Sequence, residues 1–175
     1  MLIGVVGPSG AGKDTVMAGL RAALAEDPRF VFARRAITRP ADAGGEDHLA
    51  LTEAEFARQD FALQWSAHGL RYGIPRSIEH DLARGRVVLA NLSRTVLEEA
   101  AARYPFAVLH ITASAALRAA RLAARGREEP ADIAARLSRE APLPPGLRVL
   151  TVMNDTTPEA AVAVARNYLA SLPRA

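Results

Sequence analysis

The sequence predicts an α/β fold in which a central parallel sheet is flanked by helices. Three observations carry that prediction. Short, continuous apolar runs recur along the chain and read as buried strands. Segments with helical spacing of apolar residues alternate with them. A glycine-rich turn, Gly7-Pro8-Ser9-Gly10-Ala11-Gly12-Lys13, joins the first apolar run to the first helical segment.

Leu2 to Val6 is the first buried strand. Residues 12–26 follow as a helix with Val16, Leu20, Ala23 and Leu24 on one face. Val31 to Ile37 reads as one strand, and Pro40 to Asp47, with Gly44-Gly45, as a loop. Thr52-Glu53-Ala54-Glu55 has the pattern of a capping box that opens a short helix. Residues 61–74 suggest two short strands around His68-Gly69. Residues 76–84 are helical up to Gly85.

Arg86 to Asn91 is the next buried strand, with Ser93 capping the helix after it. Phe106 to Thr112 is a strand. Residues 114–125 are helical and stop at Gly126, and Pro130 precedes a helix at about 131–140. Pro142, Pro144 and Pro145 stiffen a connector to a last strand, Leu147 to Met153. Thr157-Pro158-Glu159 opens the C-terminal helix, which Pro173 ends. The expected organisation is one domain over 1–175. Its core is 1–37, 76–120 and 146–175, and about 38–75 forms a small antiparallel substrate-binding insertion.

Half of the 175 residues are hydrophobic, enough for one sizeable core. No apolar run approaches the roughly 20 residues that cross a membrane, and Met1 to Val6 is too short for a signal peptide. There is no cysteine, so disulfides and Cys-ligated zinc are excluded. No His/Asp/Glu grouping reads as a zinc site, and no Ser-His-Asp arrangement is evident. A formal charge of +3 does not demand nucleic acid as a partner. The cytoplasm is the expected location; a homodimer is compatible with the sequence but not specified by it. Of the 22 Lys plus Arg, only Lys13 is a lysine. A lysine ammonium is a compact point charge, whereas arginine offers a planar fork.

Gly7 to Lys13 fits G-x-x-x-x-G-K in the context that motif requires, after a strand and before a helix. The fold class is thereby sharpened to a P-loop NTPase. Backbone amides of Gly7, Pro8 to Gly12 and Lys13 wrap phosphate oxygens in such a loop; Pro8 shapes it without donating. The helix N-terminus adds partial positive charge. Lys13 is the catalytic group expected to reach the β- and γ-phosphates of ATP. The residue after Lys13 is ordinarily a Ser or Thr that holds Mg²⁺. Here it is Asp14, followed by Thr15. Asp14 is the candidate metal ligand, directly or through water, and both residues are counted with the ATP site.

The motifs, in order, resemble those of guanylate kinases: Gly7 to Lys13, Thr38-Arg39-Pro40, His68-Gly69-x-x-Tyr72-Gly73, Arg125-Gly126 and Asn154-Asp155. The detailed pattern is more similar to one branch, the ribose 1,5-bisphosphate phosphokinases of phosphonate breakdown. Its marks are Gly7 to Asp14, Ile37 to Asp42, Gly44 to His48 and Ala67 to Pro75. The resemblance implies a phosphotransferase with a phosphate as acceptor. ATP, with Mg²⁺, would give its γ-phosphate to the 1-phosphate of ribose 1,5-bisphosphate, forming 5-phosphoribosyl 1-diphosphate and ADP. It implies substrate-binding roles for Arg35, Arg39, His48, Arg71 and Tyr72. It also implies a helical lid over about 121–145, where Arg125 and Arg136, among Arg121, Arg125, Arg127 and Arg136, close on the moving phosphoryl group. Asn154 would lie near the adenine; an Asx turn capping the last helix is the alternative.

Departures from the guanylate-kinase pattern favour the sugar phosphate. A guanine pocket needs acceptors for the base's donors. Guanylate kinases supply a Glu between the Trp and the His-Gly, an Asp on the later strand, and a Ser before Ala-x-Thr-Arg-Pro. Here only Ser66 and Ala67 separate Trp65 from His68, the strand position is Asn91, and the Ser position is Arg35. Unpaired donors of a buried base cost about 1–3 kcal/mol each. A nucleoside monophosphate kinase is the second reading. A non-catalytic interaction module is the third, and the retained glycines and Lys13 count against it.

Overall fold

The computed structural model describes residues 1–41, 46–124 and 142–172. The elements run β1 (Leu2–Val6), α1 (Lys13–Ala23), β2 (Phe30–Phe32), β3 (Ala36–Ile37), β4 (Leu49–Ala50), α2 (Glu53–Ala57), β5 (Phe61–Ala67), β6 (Leu70–Pro75), α3 (Ile78–Ala83) and β7 (Val87–Asn91). A 3₁₀ turn (Arg94–Val96) leads into α4 (Leu97–Arg103), then β8 (Phe106–Thr112), α5 (Ala115–Ala124), β9 (Val149–Met153) and α6 (Pro158–Ala170). The main sheet has the order β2-β7-β1-β8-β9 and a second sheet the order β4-β3-β6-β5. The α/β class with a central parallel sheet is thus as expected. The expected helix at 131–140, Gly126 and the loop residues 42–45 lie outside the described residues.

Three expectations are corrected. Val31 to Ile37 is not one strand. Phe30 to Phe32 pairs in parallel with β7, while Ala36 and Ile37 leave for the second sheet and pair antiparallel with β6. The small sheet is mixed, because β3 and β4 run parallel. Ala23 is exposed, and the apolar stripe of α1 is Val16 and Leu20, continued by Leu24.

The chain divides into two compact units, one holding Met1–Gly4 and Asp27–Ala107, the other Val5–Glu26 and the described part of Val108–Pro173. In the first unit, Ala36, Phe56 and Phe61 form a buried cluster with Leu51 packed on it. The two phenyl rings lie 4.4 Å apart. Gly73 permits this packing, since a Cβ there would stand 2.4 Å from the Phe61 ring. The capping box forms as read: Thr52 accepts from the Glu55 N–H at 3.2 Å, and Glu55 accepts from the Thr52 N–H at 2.7 Å. Those bonds hold the Glu55 carboxyl below its ordinary pKa. His68 (φ 52) and Gly69 (φ 73) make the two-residue turn between β5 and β6, both left-handed as a type I′ hairpin requires.

In the second unit, α1 packs on α6 where Gly19 meets Val162; a Cβ on Gly19 would lie 2.5 Å from that side chain. β8 and β9 pair in parallel from Val108↔Val149 to Thr112↔Met153. Thr157 caps α6 by accepting from the Ala160 N–H. No helix among the described residues is long and apolar enough to cross a membrane.

Candidate functional site

The phosphate loop belongs to the second unit. Gly10 (φ 81) and Gly12 (φ 79) are both left-handed, and Gly12 is the N-cap of α1 with no side-chain cap. The first amides of α1 are therefore left for an anion. Two side chains hold the loop from behind. The Asn154 amide donates to the Ala11 carbonyl at 2.9 Å. The Arg121 guanidinium donates to Gly10 and Ala11 carbonyls at 3.4 and 3.5 Å, and to the Asn154 carbonyl at 2.9 Å. Carbonyl and N–H of a trans peptide point opposite ways. Tying the Ala11 carbonyl therefore turns the Gly12 N–H the other way.

Lys13 is largely buried, at 18% side-chain exposure, and its ammonium donates to Asp14 Oδ1 at 2.9 Å. Asp14 itself is 62% exposed. No group of three or more His, Cys, Asp or Glu among the described residues could hold a metal alone. One hard anionic oxygen beside a phosphate loop does suit Mg²⁺, which keeps waters and takes its other ligands from phosphates. Asp14 fits that ion. Thr15 lines a groove with Gly19, Ala22, Pro158 and Val162, on the α6 side of α1.

The first unit carries a second polar cluster, on one face of the small sheet. Trp65 and Tyr72 are register partners and stack with ring centres 5.4 Å apart and planes 3° apart. The Arg35 guanidinium lies over both rings, 5.1 Å from Tyr72 and 5.7 Å from Trp65. Its Nε donates to Glu46 Oε1 at 2.5 Å, and Asn91 Nδ2 donates to Glu46 Oε2 at 2.6 Å. Arg39 leans on His48, with Nη2 3.4 Å from Nδ1. The His48 Nε2 is 3.1 Å from the Arg39 carbonyl, which it can only meet as a donor.

The curated relatives agree with the sequence motifs. A ribose 1,5-bisphosphate phosphokinase PhnN from Acidiphilium cryptum is 53% identical over 162 residues, 93% of this chain and 88% of that one. The chain belongs to the ribose 1,5-bisphosphate phosphokinase family. A PhnN phosphokinase from Brucella melitensis is 52% identical over 143 residues, covering 79% of this chain and 74% of its own. A bifunctional ribose 1,5-bisphosphokinase-thymidine phosphorylase from Cupriavidus necator is 52% identical over 165 residues; this chain spans 27% of that longer protein. No protein-family model matches the chain. Among solved structures, guanylate kinase from Anaplasma phagocytophilum has a TM-score of 0.70 at 18% identity, covering 97% of this chain and 85% of its own. That likeness is one of fold.

Against the phosphokinase motifs, the structure brings some predicted residues together and separates others. Gly7 to Lys13 form one loop. Asn154 is 1% exposed and braces that loop; it does not cap α6, which Thr157 does. Arg121, expected at the edge of a lid, sits in α5 and grips the loop. Arg125 and Arg136 lie outside the described residues. Arg35 and Tyr72 share a face of the small sheet, but Arg71 does not. Its guanidinium lies over Phe56 at 4.4 Å and 3.7 Å from Glu53, on the α2 face. Neighbours along a strand point to opposite faces, so Arg71 and Tyr72 cannot grip one group from the same side. His48 is 4% exposed, with its ring engaged by Arg39 and by the Glu46 carbonyl at 3.0 Å. It stands behind Arg39 as a support. The sequence does not show Glu46 as the partner of Arg35, or Asn91 as the partner of Glu46. The run Gly44 to His48 was the available signal, but separations of 11 and 45 positions concealed the contacts.

Proposed function

We propose that this chain transfers the γ-phosphate of ATP to the 1-phosphate of ribose 1,5-bisphosphate, giving 5-phosphoribosyl 1-diphosphate and ADP. The observation that carries the reading is 53% identity over 88% of a relative with that name. An acceptor phosphate oxygen is already ionised at neutral pH, so no general base is needed. It attacks the γ-phosphorus as the bond to the β,γ-bridging oxygen breaks, and ADP leaves. The difficulty is bringing two polyanions together, and positioning with charge neutralisation answers it.

Gly7 to Gly12 and the first turn of α1 bind the nucleotide phosphates in this proposal. Lys13 exchanges Asp14 for the γ-phosphate and follows its charge. Asp14 would hold Mg²⁺, which when bound neutralises the β- and γ-oxygens. Arg39 grips the acceptor phosphate, with Tyr72 beside Arg35. Arg125 and Arg136 are assigned to the moving phosphoryl group, in a lid over about 121–145. The cytoplasm, where ATP is held, is the proposed place of action.

The decisive experiment incubates the protein with ATP, Mg²⁺ and ribose 1,5-bisphosphate and follows ³¹P NMR. New diphosphate resonances of the sugar product are expected. Their absence, alongside rapid phosphorylation of GMP, would sink the proposal in favour of a nucleotide kinase. The metal assignment has its own test. Asp14→Asn should raise the Mg²⁺ concentration for half-maximal rate about tenfold, by analogy with the sensitivity of metal sites to their supporting groups. An unchanged Mg²⁺ titration would remove Asp14 from the metal.

A further inference from the structure

The acceptor cluster contains a carboxylate, which a site for a polyanion should avoid. Glu46 is 18% exposed and Arg35 14% exposed, and their contact balances the charge locally. Asn91, 6% exposed at the end of β7, holds the other carboxylate oxygen. The stack of Arg35 on Trp65 and Tyr72 fixes the guanidinium plane, so Glu46 is gripped from two sides by groups that are themselves held.

An ionised carboxylate only accepts hydrogen bonds, and so does a phosphate. The two cannot meet directly. The donors that a sugar bisphosphate brings at neutral pH are its ring hydroxyls. Pairing with Arg35 removes most of the repulsion between Glu46 and the substrate phosphates, and leaves the carboxylate able to read those hydroxyls. Arg39 is differently placed. Its Nε is buried with no partner among the described residues, and its neighbour is a histidine ring. The cationic work falls to Arg39 and the hydroxyl-reading work to Glu46.

We propose that Glu46, held by Arg35 and Asn91, is a specificity-determining residue that accepts hydrogen bonds from the 2- or 3-hydroxyl of the acceptor sugar. The proposal rests on the sugar-phosphate reading above. A site built to hydrogen-bond a hydroxyl rejects the analogue that lacks it, because its polar group is then left unpaired.

The test compares kcat/KM for ribose 1,5-bisphosphate and for its 2-deoxy and 3-deoxy analogues, in the wild type and in Glu46→Gln. The wild type should disfavour at least one deoxy analogue by about 10- to 100-fold. Glu46→Gln should bring that preference within about threefold by losing rate on the intact sugar alone. An equal loss on all three sugars would mean that Glu46 acts only through Arg35, and overturns the proposal. If the variant does not fold, the wild-type comparison decides: equal rates on all three sugars overturn it. Turnover of ribose 1,5-bisphosphate by the wild type is measured first. Its absence defeats the proposed reaction and this assignment together, whereas turnover without discrimination defeats Glu46 alone.

Discussion

Lys13→Ala should lower kcat by about 100- to 1,000-fold while leaving the fold intact. The size follows from the loss of one preorganised group aimed at charge that develops in the transition state. The tolerance follows from the surroundings. Lys13 is paired with Asp14, a carboxylate 62% exposed, which water can solvate when the ammonium is gone. Exposed pairs contribute about 0–1 kcal/mol, so the melting temperature should move by no more than about 4 °C in a chain of this size. Lys13→Arg should not rescue the rate. A planar fork cannot follow one moving charge as a point ammonium does, and it would sit differently beside Asp14. ADP release and thermal unfolding, measured on both variants, check the pair of claims. An alanine variant with more than half the wild-type rate would mean that transfer occurs without this lysine. Full biological activity in that variant would favour the interaction module instead.

What could be read from the sequence was what short-range chemistry decides. The strand, loop and helix at Leu2 to Ala23 are contiguous, and Gly10 and Gly12 have a local reason in their left-handed backbone. The capping box at Thr52 and Glu55 and the turn at His68-Gly69 likewise rest on residues a few positions apart. The division of Val31 to Ile37 could not be read that way. Both halves are strand formers, and the choice between sheets is made by β7 and β6, some 35–57 positions downstream. The charge balance around Arg35 was hidden for the same reason. From the sequence Arg35 reads as a free cation; folding brings Glu46 to it and Asn91 to Glu46. Arg71 is a different case. Strand alternation alone sets it opposite Tyr72, although the two are neighbours in one motif. Arg121 has the lid arginines as its neighbours in sequence, whereas its fork spans carbonyls 33 and 110–111 positions away.

Gly7→Ala should damage stability and nucleotide binding together, on the ground of space alone. Gly10 and Gly12 are needed for their left-handed backbone. Gly7 is needed for space. A Cβ there would lie 2.2 Å from the Ile111 carbonyl oxygen and 3.3 Å from its carbon. Neither atom is the end of a flexible side chain. Ile111 is fully buried in β8 and pairs with Val152 of β9, so retreat of that carbonyl would disturb a parallel ladder. The alternative is displacement of the loop, which shifts the amides meant for phosphate. Overpacking of this kind costs about 1–3 kcal/mol, or roughly 2–12 °C in melting temperature. The KM for ATP should rise with it. Gly69→Ala is the control. Nothing lies within 4 Å of a Cβ at Gly69, but its φ of 73° is strained for any L side chain. It should lose about 1–2 kcal/mol with the KM for ATP unchanged. If Gly7→Ala behaves like Gly69→Ala, with lower stability and an unaltered KM, the strand has yielded and the loop has not. If it keeps both wild-type values, the close approach at Ile111 does not shape the phosphate site.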